Sequence, residues 1–254
     1  MDLGLQDARV AVTGGSRGIG REIVATFLAE GARVATCGRD ADALTATVDD
    51  LGAGGHLWGA TADVTDPAQL TGWLDAAAGE LGGIDVLVCN ASVQPSGDDD
   101  ATWETAFQSD LMQAVRAVRH VAPTLADGGR GAVVLVSSAT ALSAASGPGQ
   151  LAYGTVKSAL LTLTAKLSRQ LGPQGVRVNA VVPGVVTFPG GVWDGLAAAA
   201  PQMVAGVAAG TSLGRLGEPS DVAAVVAFLS SPRAAYVTGS AVRVDGGLTD
   251  GVDT

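Results

Sequence analysis

Apolar runs of strand length alternate along this chain with longer stretches in which apolar residues return every three or four positions. Residues 8–13 form a short apolar run and predict a strand. Residues 18–30 place Ile19, Ile23, Val24, Phe27 and Leu28 on one helical face. Residues 32–37 predict a second strand. Residues 40–51 predict a helix with an aspartate start signal, and 56–62 a weaker strand. A helix over 67–81 is marked by Asp66 as N-cap and Pro67 at its first position. Strand 84–89, a long helix over roughly 101–125 and strand 132–137 follow. A second long helix spans 150–171 and closes at Gly172-Pro173. The chain ends with strand 176–182, helix 220–230 behind Pro219, and strand 240–244. Residues 187–214 are alanine-rich without a clear period and read as irregular.

Short apolar strands separated by helices predict βαβ units around a buried parallel sheet. Right-handed crossovers then cover both faces with helices. The expected fold is α/β: one doubly wound parallel sheet of about seven strands. No linker, charge block or repeat divides the chain, so a single domain over 1–254 is expected.

Composition narrows the function. The chain has 254 residues, a formal charge of −10, 47% hydrophobic and 16% charged residues. So apolar a chain is not intrinsically disordered. A sequence pI near 4.5 argues against nucleic acid or anionic membrane as partner. No apolar run reaches the length of a membrane span. The N-terminus lacks the basic-then-apolar pattern of a signal peptide. Cys37 and Cys89 have no metal-ligand spacing and read as buried small hydrophobes, so no metal is expected and a reducing, cytoplasmic home is. His56 and His120 also lack metal or triad spacing and read as structural or surface residues. Asp98, Asp99 and Asp100 read as a solvated acidic loop.

Chemistry first appears at Gly14-Gly15-Ser16-Arg17-Gly18-Ile19-Gly20, between the first strand and first helix. Glycines there let the backbone turn tightly and approach a pyrophosphate, and free N–H groups at the helix start face the negative charge. The alternative is an ordinary glycine turn, but the strand–turn–helix context is the one the chemistry requires. At the end of the second strand, an acidic residue would bind ribose hydroxyls and repel a 2′-phosphate. Gly38 and Arg39 stand there instead, and Arg17 approaches from the glycine loop. Two guanidiniums favour NADP(H). The alternative is two solvated arginines, with Asp40 neutralising Arg39.

Tyr153 and Lys157 are the second pointer. The chain has only two tyrosines and two lysines. A chance Tyr-x-x-x-Lys arises in about 2% of such chains by composition counting. Residues i and i+4 share a helix face. An ammonium beside a phenol stabilises phenolate, so such a tyrosine can act as a general acid or base near neutral pH. Lys166 has Thr162, not tyrosine, at i−4.

The Gly-x-x-x-Gly-x-Gly loop and Tyr153-x-x-x-Lys157 resemble the short-chain dehydrogenase/reductase family, whose domain is Rossmann-like. The resemblance covers nearly the whole chain. It implies that Asp63 and Val64 contact adenine, and that Asn90-Ala91 is the centre of the family's Asn-Asn-Ala-Gly. Pro183, Gly184, Val186 and Thr187 would lie at the nicotinamide, in a segment that Asn179 also matches. Gly239 and Asp245-Gly246-Gly247 match the C-terminal signature. Ser138 would hydrogen-bond the substrate carbonyl, Tyr153 would donate its proton, and Lys157 would hold the nicotinamide ribose and tune Tyr153. Ser137 is the alternative to Ser138. Ser92, Gln94, Ser138 and Trp193 would meet substrate beneath a lid at about 187–214. Trp58, Trp73 and Trp103 would pack.

The chain also departs from that pattern. Counting seven beyond Trp103 places Asp110 where the family carries a catalytic Asn. A carboxylate near Lys157 would raise the lysine's pKa and alter the proton relay. Ser92 stands where a glycine is usual, and the Ser138-to-Tyr153 interval is about two longer, implying a bulge over 143–149. The resemblance, closest in character to 3-oxoacyl-thioester reductases and tropinone-reductase-like enzymes, implies NADPH-dependent reduction of a ketone or oxoacyl carbonyl. The substrate would be a small molecule, free or thioester-linked; Arg116, Arg119 and Arg130 are the candidates for a carrier-protein surface. Altered chemistry such as dehydration or epimerisation, and a non-catalytic NADP-binding role, stay open on account of Asp110. Relatives of this kind imply a homotetramer, or a homodimer.

Overall fold

The computed structural model describes residues 2–52, 54–127, 129, 131–144 and 149–250. Its strands are β1 Arg9–Thr13, β2 Arg33–Gly38, β3 Leu57–Thr61, β4 Val86–Cys89, β5 Ala132–Val136, β6 Arg177–Pro183 and β7 Ala241–Val244. They form one seven-stranded sheet in the order β3-β2-β1-β4-β5-β6-β7, parallel throughout. The fold is Rossmann-like, with helices on both faces. Strand order reverses between β1 and β4, and the crevice beyond their C-terminal ends is where such sheets bind ligands.

Strand alternation sorts the core into two layers. Val10, Val12, Val34, Val88 and Val134 face α1 (Gly18–Ala29) and α9 (Pro219–Ser230), meeting Ile23, Val24, Phe27, Val222 and Val226. Ala11, Ala35, Leu87, Val133 and Leu135 face the other way. There they meet α3 (Pro67–Leu81), α5 (Gln113–Asp127) and α6 (Leu151–Leu171) through Leu70, Leu74, Val118, Leu125 and Leu160. Burying each side chain of this size contributes about 1.5–3 kcal/mol. A sheet covered on both sides explains why its strands are almost wholly apolar.

The predicted start signals are real caps. Asp40 accepts from the Ala43 N–H at the start of α2 (Ala41–Leu51), and Asp66 accepts from Ala68 and Gln69 above Pro67. Pro219 opens α9 inside a reciprocal Glu218–Asp221 capping box.

Two expectations need correction. The helix expected over 101–125 is three pieces: α4 (Asp100–Ala106), a π-helical turn over Phe107–Met112, and α5. Hydrophobic period does not reveal a single widened turn; such turns concentrate at functional sites. The stretch 187–214 is not irregular throughout. It contains α7 (Val192–Ala199) and α8 (Pro201–Ala209). Alanine favours helix whatever the period, and Pro201 merely begins a new one.

Candidate active site

The glycine loop joins β1 to α1 at the crevice. Gly14 has φ +73°, and a Cβ there would stand 2.8 Å from the Ala91 Cα. A Cβ at Gly20 would come within 2.0 Å of the Gly14 carbonyl oxygen and 2.4 Å of Asn90 Nδ2. Asn90 holds this turn closed: its Nδ2 donates to the carbonyls of Thr13 (3.1 Å) and Gly14 (2.9 Å). Thr13 Oγ1 accepts from the Asn90 and Ala91 N–H groups in return. α1 begins behind Arg17 with no side-chain cap, so its first N–H groups are left for a ligand.

One cleft of about 580 Å³ runs from this loop to Tyr153. At one end it is lined by Ser16, Arg17, Gly38, Arg39, Asp63 and Val64. Asp40 is engaged in capping α2, and among the described residues no salt bridge engages Arg17 or Arg39. Asp63 accepts from the N–H and hydroxyl of Thr65. At the other end Ser92, Gln94, Ser138, Tyr153, Lys157 and Trp193 come together. Ile19, Gly20, Asn90, Ala91, Pro183, Gly184 and Val186 line the stretch between. Thr187 and Gly18 are not among the lining residues; the Thr187 N–H donates to the Gly217 carbonyl.

Tyr153 and Lys157 stand one turn apart on α6, both buried. Lys157 Nζ lies 5.5 Å from the Tyr153 ring centroid. The ammonium donates to the Val136 carbonyl at 2.9 Å and pairs with Asp110 Oδ1 at 2.8 Å. Burial pulls the Lys157 pKa down, but the charge of Asp110, helped by Tyr153 and Cys89, outweighs it and holds it above the ordinary lysine range. Asp110 comes from the π-helical turn, and Ser109 donates its hydroxyl to the other carboxylate oxygen.

The two serines separate cleanly. Ser137 is buried and its hydroxyl donates to the Lys157 carbonyl at 2.8 Å, tying α6 to the end of β5. Ser138 is only partly buried, and its Oγ accepts from Thr140. Gln94 Nε2 reaches the Tyr153 hydroxyl at 3.5 Å from a left-handed backbone, φ +46°.

The remaining predicted residues are accounted for as follows. Asn179 does not line the cleft. It is buried, donates to the Val237 carbonyl and accepts from the Ser240 N–H, fixing β6 to the approach of β7. Burial pushes the Cys37 and Cys89 thiols up to about 12. No cluster of metal-ligating groups occurs among the described residues. His120 pairs with Asp75 between α5 and α3. The acidic loop is a cap: Asp99 accepts from the N–H and hydroxyl of Thr102, and Asp98 from Trp103 Nε1. Arg116 donates to the Thr65 carbonyl. Arg130, and residues 145–148 of the expected bulge, lie outside the described residues. Sequence reasoning missed Phe188, whose ring packs where a Gly18 Cβ would be, and Ser109 and Val93, which also line the cleft. Phe188 had a signal: it follows directly on the Pro183–Thr187 segment.

A Rossmann-like sheet, a glycine turn at its switch point and a Tyr–Lys pair in the same cleft define an oxidoreductase fold and site. The chain belongs to the short-chain dehydrogenase/reductase family: residues 14–249 match the family model described as enoyl-(acyl carrier protein) reductase. It is 36% identical over 250 residues to an isoepoxydon dehydrogenase of Penicillium expansum, covering 96% of both chains. It is 32% identical over 241 residues to a 3-oxoacyl-(acyl-carrier-protein) reductase of Escherichia coli K12, covering 93% of this chain and 95% of the other. An NADPH-bound short-chain oxidoreductase from Pseudomonas aeruginosa PAO1, described as having an atypical catalytic center, superposes with a TM-score of 0.87. That structure is 32% identical, and the match covers 97% of this chain and all of the other. No helix among the described residues is long and apolar enough to cross a membrane.

Proposed function

We propose that this chain is an NADPH-dependent ketoreductase that converts a ketone or oxoacyl carbonyl into an alcohol. The observation that carries the reading is the single cleft joining an uncapped helix N-terminus, flanked by Arg17 and Arg39, to Ser138, Tyr153 and Lys157. The NADPH bound in the Pseudomonas relative and the oxoacyl reductase activity in the name of the Escherichia relative support it. The cradle fits a dinucleotide, because its glycine turn has no room for side chains and its free amides suit a pyrophosphate.

In this reading Gly14, Ser16, Gly18, Ile19 and Gly20 cradle the pyrophosphate, and Arg17 and Arg39 hold the 2′-phosphate. Asp63 and Val64 take the adenine side. Asn90 and Ala91, with Pro183, Gly184, Val186 and Thr187, form the walls around the nicotinamide. Bound NADPH supplies a hydride to the carbonyl carbon. Ser138 hydrogen-bonds the carbonyl oxygen and polarises it. Tyr153 gives that oxygen its phenolic proton, which solvent restores. Lys157 orients the nicotinamide ribose and stabilises the phenolate left on Tyr153. The balance is ketone + NADPH + H⁺ ⇌ alcohol + NADP⁺. Ser92, Gln94 and Trp193 shape the substrate end under a lid at about 187–214. The working unit is one domain in a cytoplasmic homotetramer or homodimer.

The test is NADPH and NADH oxidation against a panel of small ketones and oxoacyl thioesters. Turnover with NADPH that falls about 10²–10⁴-fold in Tyr153→Phe supports the reading. NADPH binding without turnover of any carbonyl, or full activity in Tyr153→Phe, overturns it.

A further inference from the structure

Asp110 and Lys157 form a buried ion pair at the wall of the cleft, and only Lys157 of the two lines it. The two side chains are 0% and 3% exposed, and the charged atoms are 2.8 Å apart. The π-helical turn faces both Ser109 and Asp110 inward, so one carboxylate oxygen takes the Ser109 hydroxyl while the other faces the ammonium. The groups around Lys157 come from every neighbouring element. Asp110 comes from the π turn, Tyr153 from α6 itself, Cys89 from the end of β4, and the Val136 carbonyl from β5. The Cys89 thiol stays protonated, being pushed up to about 12. Arg17, Arg39, Asp40 and Asp63 line the opposite end of the cleft. Asp110 is therefore the one carboxylate, among the described residues, set against this ammonium.

We propose that Asp110 is a positioning residue whose carboxylate is the fixed counter-ion of Lys157, cancelling much of the ammonium's field at the Tyr153 phenol. Tyr153 is thereby kept a proton donor, and the pH range over which the site can run carbonyl reduction extends upward. This rests on the reading of Tyr153 as the group that protonates the substrate oxygen. A lone ammonium 5.5 Å from the ring would draw the phenol toward phenolate, the form that oxidation uses. A neutral pair does so far less. The carboxylate also keeps the buried lysine charged, since without it burial acts on Lys157 alone. Removing the carboxylate acts on the phenol in two opposed ways: the bare ammonium pulls harder while it is charged, but burial makes it release its own proton earlier, and a neutral amine no longer pulls. The two groups titrate as a coupled pair, so the field of Asp110 is read most cleanly where the lysine is absent.

The chain makes a direct measurement possible. Tyr236 is fully exposed and is the other tyrosine of two. In a Tyr236→Phe background the near-ultraviolet phenolate band reports Tyr153 alone, without substrate or cofactor. A failure here is thus distinguishable from a failure of the ketoreductase reading. In Asp110→Asn the band is expected below that of the parent over the range in which the lysine stays charged. The alkaline limb of reduction is expected to move down with it. Lys157→Met leaves the carboxylate uncompensated and is expected to shift the band upward. The double variant Asp110→Asn/Lys157→Met removes both charges, avoids a lone buried charge and is expected near the parent. If Asp110→Asn alone does not fold, a band at higher pH in Lys157→Met than in the double variant carries the same conclusion. Coincidence of Lys157→Met with the double variant overturns the proposal, as does an unmoved band in Asp110→Asn.

Discussion

Asn90 Nδ2 donates to the carbonyl oxygen of Gly14 at 2.9 Å, so the end of β4 clamps the turn that follows β1. A second bond to Thr13 spends the other amide hydrogen on backbone. In the proposed cofactor site the asparagine would act by shaping the cradle. Asn90→Leu leaves two carbonyls without their donor, at about 0.5–1.5 kcal/mol each. Thermal melts should show a loss of about 1–3 kcal/mol, and fluorescence titration a roughly tenfold weaker NADPH Kd. An unchanged Kd alongside the stability loss would mean that the turn does not shape the cofactor site.

The turn's tolerance for side chains is equally specific. A Cβ at Gly20 meets the Gly14 oxygen at 2.0 Å, whereas one at Gly72, within α3, meets nothing within 4 Å. Gly20→Ala must spread the loop and should weaken NADPH binding at least tenfold. Gly72→Ala should stabilise the fold by about 0.5–1 kcal/mol through helix propensity. Paired melts and titrations check both. Equal behaviour of the two variants would count against the cradle.

Among the described residues no ion pair engages Arg39 at the end of the cleft, while Asp40 is committed to capping α2. Replacing the guanidinium by a carboxylate removes a charge-assisted bond worth about 1.5–3 kcal/mol and adds repulsion of a phosphate. Arg39→Asp should lower kcat/KM with NADPH at least tenfold and raise it with NADH. Unchanged KM for both cofactors would remove the arginine from the site.

The segment leading out of the proposed lid is held by Arg215, which reaches both carboxylate oxygens of Asp221 at 2.7 and 2.8 Å. The Arg215 hydrogen bonds, with the Glu218 N–H, lower the Asp221 pKa to about 2. A carboxylate depressed by folding adds stability above its unfolded pKa near 4, and that stability disappears as pH falls toward 2. The side chains are 52% and 33% exposed, so solvent screening limits the contribution to below about 1 kcal/mol. Asp221→Asn should lower the melting temperature slightly at pH 7. The gap from wild type should close between about pH 4 and pH 2. A gap independent of pH would assign the residue to helix capping alone.

Much of this was legible from residue order. Strand and helix periods placed the sheet to within a residue or two, because a sheet buried on both faces leaves little freedom in composition. Asp40, Asp66 and Pro219 announced their helices. Tyr153 and Lys157 stood out because both residue types are scarce. What was not legible depends on tertiary contact. No period marks the π turn at Phe107–Met112; only the family resemblance put Asp110 near Lys157, and its burial there with Ser109 is visible only where that turn packs against α6. The helices α7 and α8 escaped notice because alanines give no amphipathic stripe. Ser138 was already preferred to Ser137 from the sequence; that the Ser137 hydroxyl goes to the Lys157 carbonyl, a contact 20 residues away in sequence, is visible only in the structure. Asn90 was assigned to the cofactor by motif; that its amide also holds the backbone of the loop is visible only in the structure.

The proposed reaction is hydride transfer from a nicotinamide to a carbonyl in the cleft beside Tyr153. It is tested most directly with NADPH deuterated at C4 on the transferred face, using a ketone the enzyme turns over and mass spectrometry of the product. The account predicts an alcohol carrying one deuterium on the former carbonyl carbon, with the rate of its formation reduced about 10²–10⁴-fold in Tyr153→Phe. A product that carries no deuterium, formed while NADPH remains unoxidised, would contradict it.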